Sequence, residues 1–255
     1  MHLTSEPTLQ ESTPPATTVT GKVTVVMPTY NEADNLPGMV AELLALDIDD
    51  LDIIIVDDNS PDGTGNVAER LARCYPGQIH VIHRPGKQGL GSAYREGFRL
   101  ALENGASFIV EMDADFSHSP AYIPIMLEKA QECDVVVGSR YVPGGAVDDR
   151  WRLWRRFLSW FGNAYARTII GLQVRDTTAG FKVFRRQVLE AIDLSQIKSE
   201  GYAFQIEMAY ACQRAGFRVC EIPIFFEDRV IGSSKMDLGI VLEAIWRVWQ
   251  IRFRH

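Results

Sequence analysis

What most constrains this chain is a repeated cadence: a short apolar run rich in β-formers, a polar turn, then a stretch with helical spacing. The runs are Val23-Thr24-Val25-Val26-Met27, Ile53-Ile54-Ile55-Val56, Ile79-His80-Val81-Ile82, Phe108-Ile109-Val110-Glu111-Met112 and Val135-Val136-Val137. Between them, Leu36, Met39, Val40, Leu43 and Leu44 mark a helix from about Asn35, and Val67, Leu71 and Cys74 share a face of a second. A third helix ends near Asn104 and a fourth runs from Pro120 to Gln131. Strands alternating with helices of this length fold as a mostly parallel α/β sheet with helices on both faces. The polar turns then gather at the carboxyl edge of the strands, where open sheets of this kind bind ligands. With 255 residues, 46% of them hydrophobic, the chain can bury a core of that size.

The turns hold the chemistry. Asp113-Ala114-Asp115 closes the Phe108–Met112 run, and in extended backbone two carboxylates one residue apart can face the same way and share a hard cation. Taken alone, such a pair is more often a solvated turn. Gly89-Leu90-Gly91 is not a dinucleotide fingerprint, because Tyr94 stands where the third glycine belongs and the segment follows the third strand. A net charge of -7 argues against nucleic acid as a partner. The four cysteines lack CxxC or metal-ligand spacing, which predicts reduced, buried thiols in a cytosolic protein. Residues 1–20, rich in Thr, Pro, Ser and Glu, read as a disordered tail rather than a signal peptide. No uncharged apolar run approaches the roughly 18 residues of a spanning helix, so work at a membrane would be done from its surface or through a partner.

From Asp148 the alternation breaks. Arg150, Arg152, Arg155 and Arg156 interleave with Trp151, Leu153, Trp154, Phe157, Leu158 and Trp160. Two arrangements fit: an interfacial amphipathic helix, or a helix whose arginines face solvent while its aromatics join the core. A polar loop at Asp176–Lys182 precedes a short strand at Val183-Phe184, helices at Arg186–Ile192 and Tyr202–Ala215, and an edge strand at Val219–Pro223. The last stretch carries Asp228-Arg229-Val230 and Gly232-Ser233-Ser234-Lys235, then a helix from about Leu238 to Phe253 whose aromatics and terminal arginines suit an anionic membrane surface.

In order along residues 22–240, six segments together resemble the dolichol-phosphate (polyprenol-phosphate) mannose synthases. They are Pro28-Thr29-Tyr30-Asn31-Glu32, Val56–Thr64, Gly89–Tyr94, Met112–His118, Gly138-Ser139-Arg140-Tyr141, and Asp228–Val230 with Gly232–Lys235. That family consists of family 2 glycosyltransferases with the Rossmann-like GT-A, or nucleotide-diphospho-sugar transferase, fold. The resemblance implies a GT-A catalytic domain over 21–236, a C-terminal amphipathic helix over 237–255, GDP-mannose as donor and a polyprenyl phosphate as acceptor. It implies that Pro28, Tyr30, Glu32, Val56 and Asp58 line the nucleotide pocket. Asp113 and Asp115, with the backbone around Ala114, would hold Mg²⁺ or Mn²⁺ and the diphosphate. Arg140, Arg229 and Lys235 would complete the phosphate and sugar surroundings and, with Asp115, form the catalytic set.

Two positions depart from that pattern. Ser117 stands where some relatives place a metal-ligating glutamine, and can contribute one oxygen or leave the place to water. Trp160 stands where relatives carry an arginine, which leaves open which of Arg152, Arg155 and Arg156 meets the acceptor phosphate. The residues also have plainer readings: Pro28 and Gly63 as turn formers, Tyr30 as packing, Glu32 as a helix cap, and Asp57 as the holder of its loop.

The family's acceptor is a phosphate monoester, substantially dianionic near neutral pH because its second pKa is about 6, so no strong base is required. Positive charge must instead bring two anions together, and direct displacement inverts the anomeric centre. Asp176 is expected to orient sugar or acceptor. The implied setting is the cytoplasmic face of a membrane, with a separate membrane-anchoring subunit as a further partner. The alternatives are a lipid-phosphate glucosyltransferase using UDP-glucose and a non-catalytic sugar-nucleotide-binding subunit; the paired carboxylates and basic residues weigh against the second. A processive polysaccharide synthase is disfavoured by the lack of spanning helices and of a Gln-x-x-Arg-Trp element.

Overall fold

Alternate residues of each central strand face opposite ways, and in this chain both sets are apolar. The computed structural model describes residues 20–228 and 246–253. Its main sheet joins β1 (Val23–Thr29), β2 (Leu51–Asp57), β3 (Ile79–His83), β4 (Phe108–Glu111), β5 (Val135–Ser139), β7 (Lys182–Arg185) and β8 (Val219–Pro223) in the order β3-β2-β1-β4-β7-β5-β8. Val23, Val25, Met27, Ile53, Ile55 and Val110 face helices α1 (Leu36–Leu44), α2 (Thr64–Cys74) and α4 (Ile123–Lys129). Val26, Ile54, Val56, Ile109, Val137 and Phe184 face α3 (Leu90–Glu103), α6 (Arg186–Ala191) and α7 (Gly201–Arg214). A strand covered on both faces reads as a continuous apolar run, which is why these segments stand out. Each such aliphatic side chain contributes about 1.5–3 kcal/mol on burial. Gly97 of α3 lets that helix lie directly on the sheet, since a Cβ there would collide with Val26 Cγ1.

β7 departs from the expected pattern. It is antiparallel to both β4 and β5 and sits between them, while the other pairs in this sheet are parallel. The expected edge strand is at the edge, as β8. A two-stranded parallel ribbon, β6 (Ala146–Val147) with β9 (Phe225–Phe226), projects beside it. The helix expected over Pro120–Gln131 begins as a 3₁₀ turn at Pro120–Tyr122.

The cysteine expectation is overturned. Cys133 and Cys220 are disulfide-bonded with Cα atoms 6.1 Å apart, although 87 residues separate them. Parallel pairing of β5 with β8 brings these positions together, and no local spacing signals it. Cys74 is exposed, and only Cys212 remains a buried thiol.

Of the two arrangements foreseen for the arginine and aromatic segment, the one that places its aromatics in the core is overturned. It forms α5 (Leu153–Ile170), whose aromatic residues Trp154, Phe157, Trp160 and Phe161 point outward. Arg155 and Arg156 are instead half-buried and ion-paired, to Asp228 and Asp149. The inner side of α5, with Ala166 and Ile170, packs with Val248 and Ile251 against Ile206, Ala209 and Tyr210 of α7. Residues 246–253 are helical, as expected for the end of the chain. The predicted N-terminal tail falls outside the described residues except for Thr20, as do Arg229, Lys235 and the start of the last helix.

Candidate active site

The carboxyl ends of β1, β2, β4 and β5 open onto one edge of the sheet. Asp57, at the end of β2, accepts from Thr29 Oγ1 (3.1 Å), Ser60 N (3.1 Å) and Ser60 Oγ (2.6 Å), so it holds its loop. The loops after β1 and β2 are stitched together as Asn31 N donates to Ser60 Oγ (3.1 Å), Glu32 N to Thr64 Oγ1 (2.9 Å) and Ala33 N to Asp62 Oδ2 (3.1 Å). The Glu32 carbonyl accepts from Asn35 N and Leu36 N, which makes Glu32 part of the start of α1. Pro28 and Tyr30 are half-buried at this edge, with Lys87 Nζ 4.3 Å from the Tyr30 ring centre.

Asp58 is buried and ion-paired with Arg84, which also donates to Gly89 O (3.3 Å) and Gln88 Oε1 (3.1 Å). Burial raises the Asp58 carboxyl above its ordinary value despite the Arg84 charge. The Val56 side chain points into the core beneath α3, so it presents no side chain to this edge.

Asp113 and Asp115 stand just past the end of β4. Tyr94, buried in α3, donates its hydroxyl to Asp113 Oδ1 (3.2 Å). Asp115 accepts from Ser117 N (3.0 Å) and Ser117 Oγ (2.5 Å). The turn that makes this possible puts Phe116 at a φ of 62°, a left-handed conformation costly for a bulky residue. Asn31 and Asn59 share that conformation, so three of these loops carry positive-φ residues at the same edge.

The donor set is two carboxylates, both hard oxygen ligands suited to Mg²⁺ or Mn²⁺. Among the described residues no group of three or more His, Cys, Asp or Glu could hold a metal, so a cation here needs ligand oxygens to complete its shell. The residues fit such a shared cation. Ser117, expected as a ligand, directs its hydroxyl proton to Asp115 and orients that carboxylate.

Beside the carboxylates lies a cavity of about 370 Å³ whose lining includes Asp113, His118, Arg140, Arg155, Gly180 and Gln205. Arg140 is bound bidentately to Asp176, Nε to Oδ2 at 2.7 Å and Nη2 to Oδ1 at 2.6 Å, and its own backbone N–H donates to Oδ2 at 2.9 Å. Burial alone would lower the Arg140 pKa, but the Asp176 carboxylate more than reverses this, so the guanidinium stays charged. Asp176, expected to orient sugar or acceptor, has its fully buried carboxylate bound to Arg140 and so holds that guanidinium. Of the three arginines left open, Arg155 lines the cavity, held by Asp228 (3.1 Å) and stacked 3.8 Å from the Trp151 ring centre. Arg152 is exposed, and Arg156 is bound to Asp149 and the Asp148 carbonyl. Burial, reinforced by the Arg140 charge and opposed by Asp115, lowers the His118 pKa to about 4, leaving the ring neutral near pH 7.

Several contributors had no assigned role in the sequence reading. Lys182 donates to Ala179 O (2.5 Å) and Gln205 Oε1 and is ion-paired with Glu111, whose Oε1 accepts from Gln205 Nε2. The available signal was Glu111, an acid inside an apolar strand that demands a partner. Glu200 accepts from Gly91 N (2.6 Å) at the start of α3, and Arg84 sits behind Asp58.

The sequence model of glycosyl transferase family 2 matches residues 24–193. The chain belongs to glycosyl transferase family 2. Two curated relatives of this glycosyltransferase are each 45% identical to it. One is the undecaprenyl-phosphate mannosyltransferase of Micrococcus luteus, aligned over 89% of this chain and 92% of the relative. The other is the polyprenol monophosphomannose synthase of Mycolicibacterium smegmatis, aligned over 92% of this chain and 89% of the relative. Among solved structures, a Pyrobaculum calidifontis mannosyltransferase in complex with GDP-mannose and Mn²⁺ superposes with a TM-score of 0.63 at 18% identity. That match covers 92% of this chain and 65% of the other, and it supports the GT-A fold of this glycosyltransferase.

Proposed function

We propose that this family 2 glycosyltransferase moves mannose from GDP-mannose to the phosphate of a polyprenyl lipid, with inversion, at a membrane surface. The observation that carries the reading is one cavity lined by Asp113 of the carboxylate pair together with Arg140 and Arg155, beside α5 with its outward aromatic face. The names of the two 45% identical relatives support the lipid phosphate and the mannose. The donor base rests on the motif resemblance and on the GDP-mannose complex of the fold neighbour.

Asp113 and Asp115 would hold Mg²⁺ or Mn²⁺, which supplies charge stabilisation to the departing diphosphate. Tyr94 and Ser117 set the two carboxylates in place. Arg140, kept charged by Asp176, offers a preorganised positive group where negative charge develops. Arg155, beside Trp151, receives the acceptor phosphate. The dianionic phosphate attacks the anomeric carbon directly, the sugar–diphosphate bond breaks, and no proton has to be removed. An α-linked donor thus gives a β-linked lipid. Arg229 and Lys235 would complete the anion surroundings, and Pro28, Tyr30, Glu32 and Asp58 the nucleotide side.

Leu153, Trp154, Phe157 and Trp160 of α5 and Trp246, Trp249 and Phe253 of the last helix are exposed, on two elements that share one packed cluster. Exposed aromatics of this number suit an interfacial depth, where the lipid acceptor resides. Among the described residues no helix is long and apolar enough to cross a membrane, and a membrane-embedded anchoring partner on the cytoplasmic face would add to this surface. Offering labelled GDP-mannose, UDP-glucose and UDP-N-acetylglucosamine with polyprenyl phosphate and Mn²⁺ tests the reading. Label should enter lipid from GDP-mannose; labelling from UDP-glucose alone would overturn the donor assignment.

A further inference from the structure

Inside the cavity, His118 poses an unanswered question. It is 3% exposed and its Nδ1 has no hydrogen-bond partner. Buried polar atoms are nearly always satisfied, so an orphan at a cavity wall marks a place where a ligand supplies the partner. The ring is held firmly, stacked on Phe181 with centroids 5.1 Å apart and edge-on to Phe226 at 5.3 Å. The Cε1 corner of the ring lies toward Gly180, and both residues line the cavity. A Cβ at Gly180 would stand 3.7 Å from His118 Cε1, 3.5 Å from Gln205 Nε2 and 3.6 Å from Asp113 Oδ2. The missing side chain thus leaves a small hollow bordered by two polar atoms, Gln205 Nε2 and Asp113 Oδ2, and by His118 Cε1, the ring carbon bonded to both imidazole nitrogens.

The Gln205 amide has a defined orientation. Lys182 can only donate, which draws Gln205 Oε1 toward it, and the Glu111 carboxylate accepts from Gln205 Nε2. One of the two Nε2 protons is thereby engaged with Glu111, and the other remains for the hollow. The buried Glu111, Lys182 and Gln205 cluster is costly to assemble and is explained if it presents that N–H in one direction.

We propose that this hollow receives a hydroxyl of the donor's sugar ring, which accepts from Gln205 Nε2 and hydrogen-bonds His118 Nδ1, and that His118 helps decide which sugar is transferred. A sugar hydroxyl both donates and accepts, which matches an amide N–H facing an imidazole nitrogen across a space with no side chain of its own. Asp113 then borders both the sugar and the diphosphate ends of the donor. The inference rests on the nucleotide-sugar reading above and adds to it the residues that read the sugar.

The test uses the full chain with Mn²⁺ and three variants: His118→Phe, which keeps the stacking ring without its nitrogens; His118→Asn, which returns a polar atom near the Nδ1 position; and Gly180→Ala, which fills the hollow at ordinary contact distances. Calorimetry measures GDP and GDP-mannose affinity, and steady-state kinetics gives kcat and KM for GDP-mannose and UDP-glucose. The expected result is GDP affinity unchanged within about twofold, with kcat/KM for GDP-mannose reduced at least about tenfold in His118→Phe and Gly180→Ala, substantial recovery in His118→Asn, and a shifted ratio between the two donors. The inference is overturned if His118→Phe and Gly180→Ala keep wild-type kcat/KM and donor ratio, or if GDP binding falls as far as GDP-mannose binding. Should the wild-type protein use UDP-glucose instead, the donor reading fails, and the same variants measured with UDP and UDP-glucose still decide the hollow.

Discussion

Replacing Asp176 by Asn removes a charge without removing volume, and its consequences can be worked from the contacts around Arg140. The Asp176 side chain is 0% and the Arg140 side chain 7% exposed, and three hydrogen bonds link the two residues. With Asn, one oxygen becomes a donor facing a residue that only donates, and a buried guanidinium loses its counter-charge. Breaking a buried pair from one side costs about 3–5 kcal/mol. At about 2–4 °C per kcal/mol for a domain of this size, Tm should fall by roughly 6–20 °C. Thermal unfolding followed by circular dichroism reads the stability, and mannosyl transfer at a temperature well below the lowered Tm reads the function. Transfer should drop about 100-fold or more, since the guanidinium is no longer held where charge develops. The double variant Arg140→Met/Asp176→Leu separates the two effects: apolar replacement of the whole pair should restore much of the Tm and none of the activity. A Tm within a degree of wild type for Asp176→Asn would refute the assignment of Asp176 as the holder of Arg140, and an active double variant would refute the proposed role of Arg140 in transfer.

Asp115→Ala should reduce transfer at least about 100-fold while leaving the far-ultraviolet spectrum unchanged, because the residue lies past the end of β4 and is a proposed cation ligand; near wild-type transfer with normal metal dependence would remove Asp115 from the site. Trp154→Ser/Phe157→Ser/Trp160→Ser should raise Tm or leave it unchanged and reduce sedimentation with anionic liposomes by several-fold, whereas undiminished sedimentation would argue against α5 as the membrane-facing element. Asp148 accepts from Arg150 Nε and N at 2.8 Å, and these bonds hold its carboxyl well below its ordinary value of 3.8. A depressed carboxylate pKa contributes stability that is present above the unfolded value and lost as pH falls toward the folded one. The stability gap between wild type and Asp148→Asn should therefore be full above about pH 5 and shrink below about pH 4, and urea titrations showing a pH-independent gap would contradict the pairing.

Much of the architecture was legible because β1, β2 and β4 are covered on both faces and so read as unbroken apolar runs. The carboxyl-edge site followed, since polar turns after such strands have one place to go. What stayed hidden depends on contacts between distant segments. The insertion of β7 between β4 and β5, antiparallel to both, leaves no mark in a four-residue strand. The Cys133–Cys220 bond exists because β5 and β8 pair, which local spacing does not report. Direction was hidden too. An amphipathic segment shows that α5 has two faces, but the partners that hold its arginines, Asp228 for Arg155 and the exposed Asp149 for Arg156, lie outside it. At the candidate site, the proposed roles of the carboxylates and Arg140 come from the motifs that contain them. Their positioning partners Tyr94, Asp176 and Ser117 acquire those roles only from geometry.

The central claim is tested most directly by product analysis: incubate the purified protein with Mn²⁺, GDP-mannose and a polyprenyl phosphate, then identify the lipid product by mass spectrometry and its anomeric linkage by nuclear magnetic resonance. The account predicts a polyprenyl phosphate carrying one mannose in β linkage, formed only when GDP-mannose is supplied. An α-linked product, or a hexosyl lipid formed from UDP-glucose while GDP-mannose yields none, would contradict it.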